Sequence, residues 1–235
     1  MSEYSVICII PARGGSKGLS CKNLRELDGA TLVERPIKHA LESGVIDTVL
    51  VTTDDSKIAE TALKAGAEVP FIRPKNLSED LSTTEETIQH ALLTYESLTS
   101  RKYEIGVFLT ATDIFRQIKW IQEAVEKLKS NSNLESVFSG YKTHKNFWEK
   151  NKDGKWERIC SWMSEYSSRQ TRQSIVREDT GLVCASRAYL WREGRRIGDR
   201  VEIIINDDDL TGLDIHDEED LNLAQAALNI RKNIK

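Results

Sequence analysis

Ile9-Ile10-Pro11-Ala12-Arg13-Gly14-Gly15-Ser16-Lys17-Gly18, continuing to Lys22-Asn23, is the stretch on which the fold turns. It closes the apolar run Tyr4 to Ile10 (YSVICII), which reads as a buried strand breaking at Pro11. Behind the strand comes a glycine-rich turn bearing two basic residues, with Lys22 shortly after. Paired glycines let main-chain N–H groups approach a phosphate, and Lys and Arg supply the counter-charge. Arg13, Gly14, Ser16, Lys17, Lys22 and Asn23 are therefore candidate binding residues. The GxxxxGK[ST] spacing of the Walker loop is absent, and so is the dinucleotide pattern GxGxxG. A tight surface turn with solvated charges is the competing reading; the strand in front and the Lys-Asn behind favour phosphate.

Outward from this loop, short β-rich runs alternate with helical patterns. Strands are expected at Asp47 to Thr53, Val69 to Ile72, Ile105 to Leu109, Ser136 to Tyr141, Gly181 to Ser186 and Val201 to Ile205. Apolar spacing expects helices at Leu32 to Leu41, Ser56 to Ala65, Glu85 to Leu98, Lys119 to Leu128 and Asp217 to Lys232. Such alternation indicates an α/β fold, a mostly parallel sheet with helices on both faces. Ligands in such sheets bind beyond the carboxyl ends of the strands, so the segments after each strand are where chemistry belongs. The pattern changes between about residues 143 and 180, which hold Trp148, Trp156 and Trp162 and a turn at Asp153-Gly154. This reads as an inserted hairpin or arm within a single 1–235 domain, suited to a subunit contact.

Composition narrows the function. The 235 residues are 39% hydrophobic and 30% charged, the mix of a globular domain with a real core. A net charge of -4 argues against broad nucleic-acid binding but leaves room for a local basic cluster facing an anionic small molecule. No apolar run reaches the roughly 20 residues that span a bilayer. Met1-Ser2-Glu3-Tyr4 lacks the features of a signal peptide, and Cys8, Cys21, Cys160 and Cys184 show no metal spacing. A reducing cytoplasmic location is expected.

The ordered motifs resemble those of the acylneuraminate cytidylyltransferases, the CMP-sialic acid synthetases, with their relatives for other nonulosonic acids and, more distantly, for Kdo. IPARGGSKG…KN resembles the family's signature loop, and Val51-Thr52-Thr53-Asp54 its V-S-T-D strand end. Arg73-Pro74…Leu77-Ser78-Glu79-Asp80 is similar to R-P…L-A-x-D, Ser168-Arg169-Gln170 to R-R-Q, and Leu213-Asp214-Ile215 to I-D-I-D. The resemblance implies a three-layer α/β/α sandwich of the nucleotide-diphospho-sugar transferase (Rossmann-like) type. It also implies a homodimer that exchanges arms, a Mg²⁺-dependent reaction, and CTP and an acidic sugar as substrates. It places Arg13, Lys17 and Asn23 on the CTP phosphates and cytosine, with Arg73, Asp80 and Ser82 in the nucleotide pocket. Arg169 matches an active-site arginine, and Asp214 keeps the metal role. On residues alone, Ser82-Thr83-Thr84-Glu85 is also a capping box, Arg73 a loop cation, and Arg169 part of a charged stretch with Arg172 and Arg177.

Three departures fall on the sugar half. Thr110 stands where the family has the Gln of Q-x-T-S-P, and Asp113 follows, suited to metal, sugar or the next helix's N-terminus. D-x-D becomes Asp214-Ile215-His216, with Asp217 as a helix cap, and E-N-G becomes Glu178-Asp179-Thr180-Gly181. CTP-dependent activation of an atypical nonulosonic acid is the expectation. A Kdo-type synthetase and a catalytically silent nucleotide-binding protein are the alternatives.

Overall fold

The computed structural model describes residues 4–168 and 170–234. Its strands are β1 (Val6–Pro11), β2 (Glu26–Leu27), β3 (Ala30–Thr31), β4 (Thr48–Thr52), β5 (Ile105–Phe108), β6 (Ser136–Thr143), β7 (Trp148–Lys150), β8 (Trp156–Arg158), β9 (Ile175–Glu178), β10 (Cys184–Arg187) and β11 (Val201–Asn206). The helices are α1 (Glu34–Glu42), α2 (Ser56–Lys64), α3 (Thr84–Thr99), α4 (Ile118–Ser130), α5 (Ala188–Arg192) and α6 (Glu218–Ile234).

The central sheet runs β11-β6-β10-β5-β1-β4. β1 pairs in parallel with β4 on one side and β5 on the other. β10 is antiparallel to both β5 and β6, and β11 is parallel to β6. β9 pairs antiparallel with the far end of β6. The apolar run of β1 is continuous because both of its faces are covered. Val6, Cys8 and Ile10 face a core with Ile37 of α1, Ile58 of α2 and Trp120, Ile121 and Val125 of α4. Ile7 and Ile9 face the opposite core with Ile88, Leu92 and Tyr95 of α3 and Trp191 of α5. Gly106 in β5 leaves room for the Trp191 indole, which a Cβ would strike. The result is the three-layer α/β/α sandwich. Buried Cys8 and Cys184 are reduced thiols, each pushed up to about 12 by burial.

Some local expectations are corrected. Val69 to Ile72 forms no strand: Glu68 alone bridges Leu50, and Pro70, with no N–H to donate, turns the chain away. The chain regains the sheet when Arg73 donates its N–H to the Thr53 carbonyl at 2.8 Å. Ser82 does not cap α3. Thr83 does, in a reciprocal capping box with Glu86, while the Ser82 hydroxyl donates to the Asn76 carbonyl at 2.8 Å. Gly181 to Val183 precede the ladder of β10, with Leu182 donating its N–H to the Asp179 carbonyl at 3.1 Å. β9 and α5, of four and five residues, are too short to show a period in the sequence.

Between residues 143 and 180, β7 and β8 pair as a hairpin whose turn contains Gly154 at φ 75. At the other end of the chain, Asp217 accepts the Asp220 N–H at 3.0 Å and donates its own N–H back to Asp220 at 3.2 Å, starting α6. A third apolar cluster, including Leu19, Leu27, Phe115, Ile215 and Leu221, ties the loops at the carboxyl edge of the sheet to α6. No helix among the described residues is long and apolar enough to cross a membrane.

Candidate active site

The loop after β1 is set by its neighbours. Ala12 donates its N–H to the Thr52 carbonyl at 3.0 Å, extending the ladder one step past the strand. Gly14 then packs against β4's end: a Cβ there would sit 2.9 Å from Asp55, and its N–H donates to Asp54 at 2.9 Å. Gly18 passes the chain at 214–216 so closely that a Cβ would lie 2.5 Å from the His216 carbonyl oxygen. Gly14 and Gly18 thus serve close backbone approach, while the position of Gly15 is open. Buried Asn23 braces the loop by donating to the Arg13 carbonyl at 2.9 Å. Lys22 donates to the Ile215 carbonyl at 2.9 Å, joining the loop to the Asp214 segment. Burial lowers its pKa, with the Asp214 charge opposing.

These ties shape a cleft of about 450 Å³ at the carboxyl ends of β1 and β5, lined by Arg13, Ser16, Lys17, Lys22, Asn23, Thr110 and His216, among others. A recess of about 220 Å³ adjoins it, sharing Pro11, Arg13 and Thr84 and adding Arg73, Asp80 and Ser82. Arg13, Lys17, Lys22 and Arg73 gather here although the chain as a whole is acidic. The cations are partly met by carboxylates. Asp80 pairs with Arg13 at 3.2 Å and with Lys17. Asp54, besides holding Gly14, lies 3.8 Å from buried Arg73. Burial also lowers the Arg73 pKa, and Asp54 opposes that shift.

Of the residues expected from sequence, Arg13, Ser16, Lys17, Lys22, Asn23 and Thr110 line the cleft, and Arg73, Asp80 and Ser82 line the recess. The Gly14 N–H is turned to Asp54. Asp80 presents its carboxylate to the cations. Arg169 lies outside the described residues. Asp214 is 3.2 Å from the His216 imidazole through one oxygen, while its Oδ1 is buried with no hydrogen-bond partner.

The sugar-half departures form one unit. The Thr110 hydroxyl donates to Asp113, whose carboxyl lies so close to Gly181 that a Cβ there would overlap it. Burial pushes the Asp113 carboxyl up, the Thr110 hydroxyl opposes this, and the nearby Asp214 charge adds to the rise. Arg116, which none of the sequence motifs marks, staples the unit. Its guanidinium is buried and donates to the carbonyls of Thr110 at 2.8 Å, Gly181 at 2.6 Å and Leu182. Burial lowers it to about 10, so it stays charged at neutral pH. A lone arginine after Ile114-Phe115 was the available signal. Asp54 is marked in the sequence only by the strand end Val51-Thr52-Thr53-Asp54, which does not foretell its hold on Gly14.

A mostly parallel α/β sheet carries a cationic, glycine-rich loop beyond its strands, at the edge where ligands bind in such folds. The profile of the cytidylyltransferase family matches residues 7–205, and the chain belongs to that family. Pseudaminic acid cytidylyltransferase of Campylobacter jejuni is 39% identical over 127 residues, 54% of this chain and 54% of that protein. N-acylneuraminate cytidylyltransferase of Escherichia coli is 30% identical over 229 residues, 93% of this chain and 51% of that protein. The chain thus spans about half the length of these curated relatives. A solved CMP:2-keto-3-deoxy-manno-octonic acid synthetase complexed with CTP shares the fold, with TM-score 0.67 and 14% identity over 97% of this chain and 99% of that one.

Proposed function

We propose that this protein is a cytidylyltransferase that transfers CMP from CTP to an acidic nonulosonic sugar, releasing pyrophosphate. The observation that carries the reading is the convergence of Arg13, Lys17 and Lys22 on one cleft beside Asp214. The names of the similar Campylobacter jejuni and Escherichia coli proteins support the choice of sugar class.

In this reading the anomeric hydroxyl of the sugar attacks the α-phosphorus of CTP in line and pyrophosphate departs from the far side. Negative charge grows on the phosphoryl oxygens and the leaving group. Arg13 and Lys17 neutralise it from the loop, and Asn23 keeps Arg13's backbone in place. The hydroxyl's proton passes to solvent as the new P–O bond forms, and because such transfers depend mainly on positioning and electrostatics, a protein base need not stand out.

The donor set fits a magnesium ion shared with the substrate. Asp214 has an oxygen without a partner, and no group of three or more acidic, His or Cys side chains among the described residues forms a self-sufficient metal cage. Mg²⁺ is commonly held by one or two carboxylates plus phosphates and water. Asp214 would hold it, and the ion would supply further charge neutralisation at the phosphates. Asp214→Asn is expected to lower turnover by about two orders of magnitude or more. Its thermal midpoint should change little, because Asn keeps the size of the side chain and the partner it faces, His216, is 72% exposed. Turnover against Mg²⁺ concentration, alongside thermal melting, checks this.

The arm belongs, in the same reading, to a homodimer contact. Trp148 (46% exposed), Trp156 (64%) and Tyr166 (75%) leave aromatic surface uncovered on it, which supports a partner subunit there. A cytoplasmic location fits the CTP requirement and the reduced cysteines.

The test is pyrophosphate release from CTP and Mg²⁺ with a panel of nonulosonic acids and 2-keto-3-deoxy-manno-octonic acid. At least one nonulosonic acid should release pyrophosphate, and replacing CTP by UTP should abolish it. CTP binding without release from any sugar would overturn the catalytic reading.

A further inference from the structure

We propose that Asp80 is an internal counter-anion of the phosphate loop, displaced when the triphosphate enters and returning to the cations as pyrophosphate leaves. The inference rests on the reading of that loop as a triphosphate site. It goes beyond that reading by giving a carboxylate at the site the task of competing with substrate and product.

The geometry is that of a phosphate substitute. One Asp80 oxygen lies 3.2 Å from Arg13 and the other contacts Lys17, so a single carboxylate spans both cations as two phosphate oxygens would. The Lys17 hydrogen bond is the largest influence holding the Asp80 carboxyl below its usual range, so it is ionised at neutral pH.

Asp54 and Asp80 differ in attachment. Asp54 follows β4 directly and accepts the Gly14 N–H at 2.9 Å, so it belongs to the sheet edge. Asp80 sits in the connection between Pro74 and α3. The side-chain hydrogen bonds there are local: Ser78 to the Pro74 carbonyl at 3.3 Å, Arg73 to Ser78 at 3.0 Å, and Ser82 to the Asn76 carbonyl at 2.8 Å. Leu81, its neighbour, is 94% exposed and anchors nothing in the core. The Asp80 and Lys17 side chains are themselves 44% and 80% exposed. Ion pairs this open to water are weak and readily exchanged for a more highly charged partner.

A ligand that touches both Arg13 and Lys17 must therefore remove Asp80, whereas a neutral nucleoside need not. The competition weakens triphosphate binding modestly. It weakens pyrophosphate binding in the same way, which favours release of the product once the α-phosphorus bond has broken.

The experiment is isothermal titration of Mg²⁺-pyrophosphate, Mg²⁺-CTP and cytidine into the unaltered protein, Asp80→Asn and Glu79→Gln, the last controlling for loss of a neighbouring negative charge. Asp80→Asn should bind pyrophosphate and CTP about three- to tenfold more tightly, the combined effect of two exposed ion pairs. Cytidine affinity should not change, and Glu79→Gln should stay within about twofold for every ligand. Unchanged or weaker pyrophosphate binding by Asp80→Asn, with CTP still bound by the unaltered protein, overturns this proposal alone. Equal tightening by Glu79→Gln overturns it in favour of a diffuse charge effect. Failure of the unaltered protein to bind either phosphate ligand overturns it together with the functional reading beneath it.

Discussion

Lys17→Ala is expected to lower pyrophosphate release by about 10²- to 10³-fold, the range found when one preorganised donor is removed from a site of developing charge. The fold should not notice the change. The Lys17 side chain is 80% exposed, and its ion pair joins it to an Asp80 side chain that is itself 44% exposed. Pairs of that kind contribute little to stability, so the thermal midpoint should shift by no more than about 2 °C. The loss should fall chiefly on kcat, since the ammonium meets more charge in the transition state than in bound CTP. Steady-state pyrophosphate release with saturating sugar, paired with a melting curve, separates these quantities. Turnover equal to that of the unaltered protein would remove Lys17 from the mechanism.

Arg116→Met should act through the opposite route, on structure first. Arg116 is buried, and its guanidinium donates to the carbonyls of Thr110, Gly181 and Leu182. Methionine fills much of the stem's volume and donates nothing. Gly181 keeps the Thr110 N–H at 3.0 Å and the Thr110 hydroxyl at 3.3 Å, so the stranded carbonyls are chiefly those of Thr110 and Leu182. Each buried polar group stranded by such a change costs about 1–3 kcal/mol. A loss of about 3 kcal/mol is therefore expected, which lowers the thermal midpoint by roughly 6–12 °C for a domain of this size. Arg116→Lys keeps a charge but not the planar fork, and should recover less than half of the loss. Chemical denaturation of the three proteins checks this, and a change below 1 kcal/mol for Arg116→Met would show that the carbonyls find other donors.

The parallel sheet was legible in the sequence because buried parallel strands advertise themselves as unbroken apolar runs, as Val6 to Ile10 does. The glycine-rich loop after β1 was legible for a related reason. Glycines and cations directly behind a strand are local signals, and the structure adds that Gly14 and Gly18 serve close backbone approach. What failed locally failed by small offsets or by an unweighted proline. Thr83 rather than Ser82 caps α3, and Pro70 removes the donor that a strand from Val69 would need. The long-range partnerships were not legible at all. Arg116 finds its acceptors at Gly181 and Leu182 across the sheet, and Asp80 meets Arg13 and Lys17 from a separate connection. No periodicity or spacing encodes such meetings, because tertiary folding alone brings the partners together.

The account stands on the loop after β1 as the seat of a nucleoside triphosphate, and a crystal structure of the protein with CTP and Mg²⁺ tests it most directly. The account expects the triphosphate against Arg13 and Lys17, with Asp80 released from both and the ion on Asp214. A triphosphate bound elsewhere, with Asp80 still paired to both cations, would contradict it.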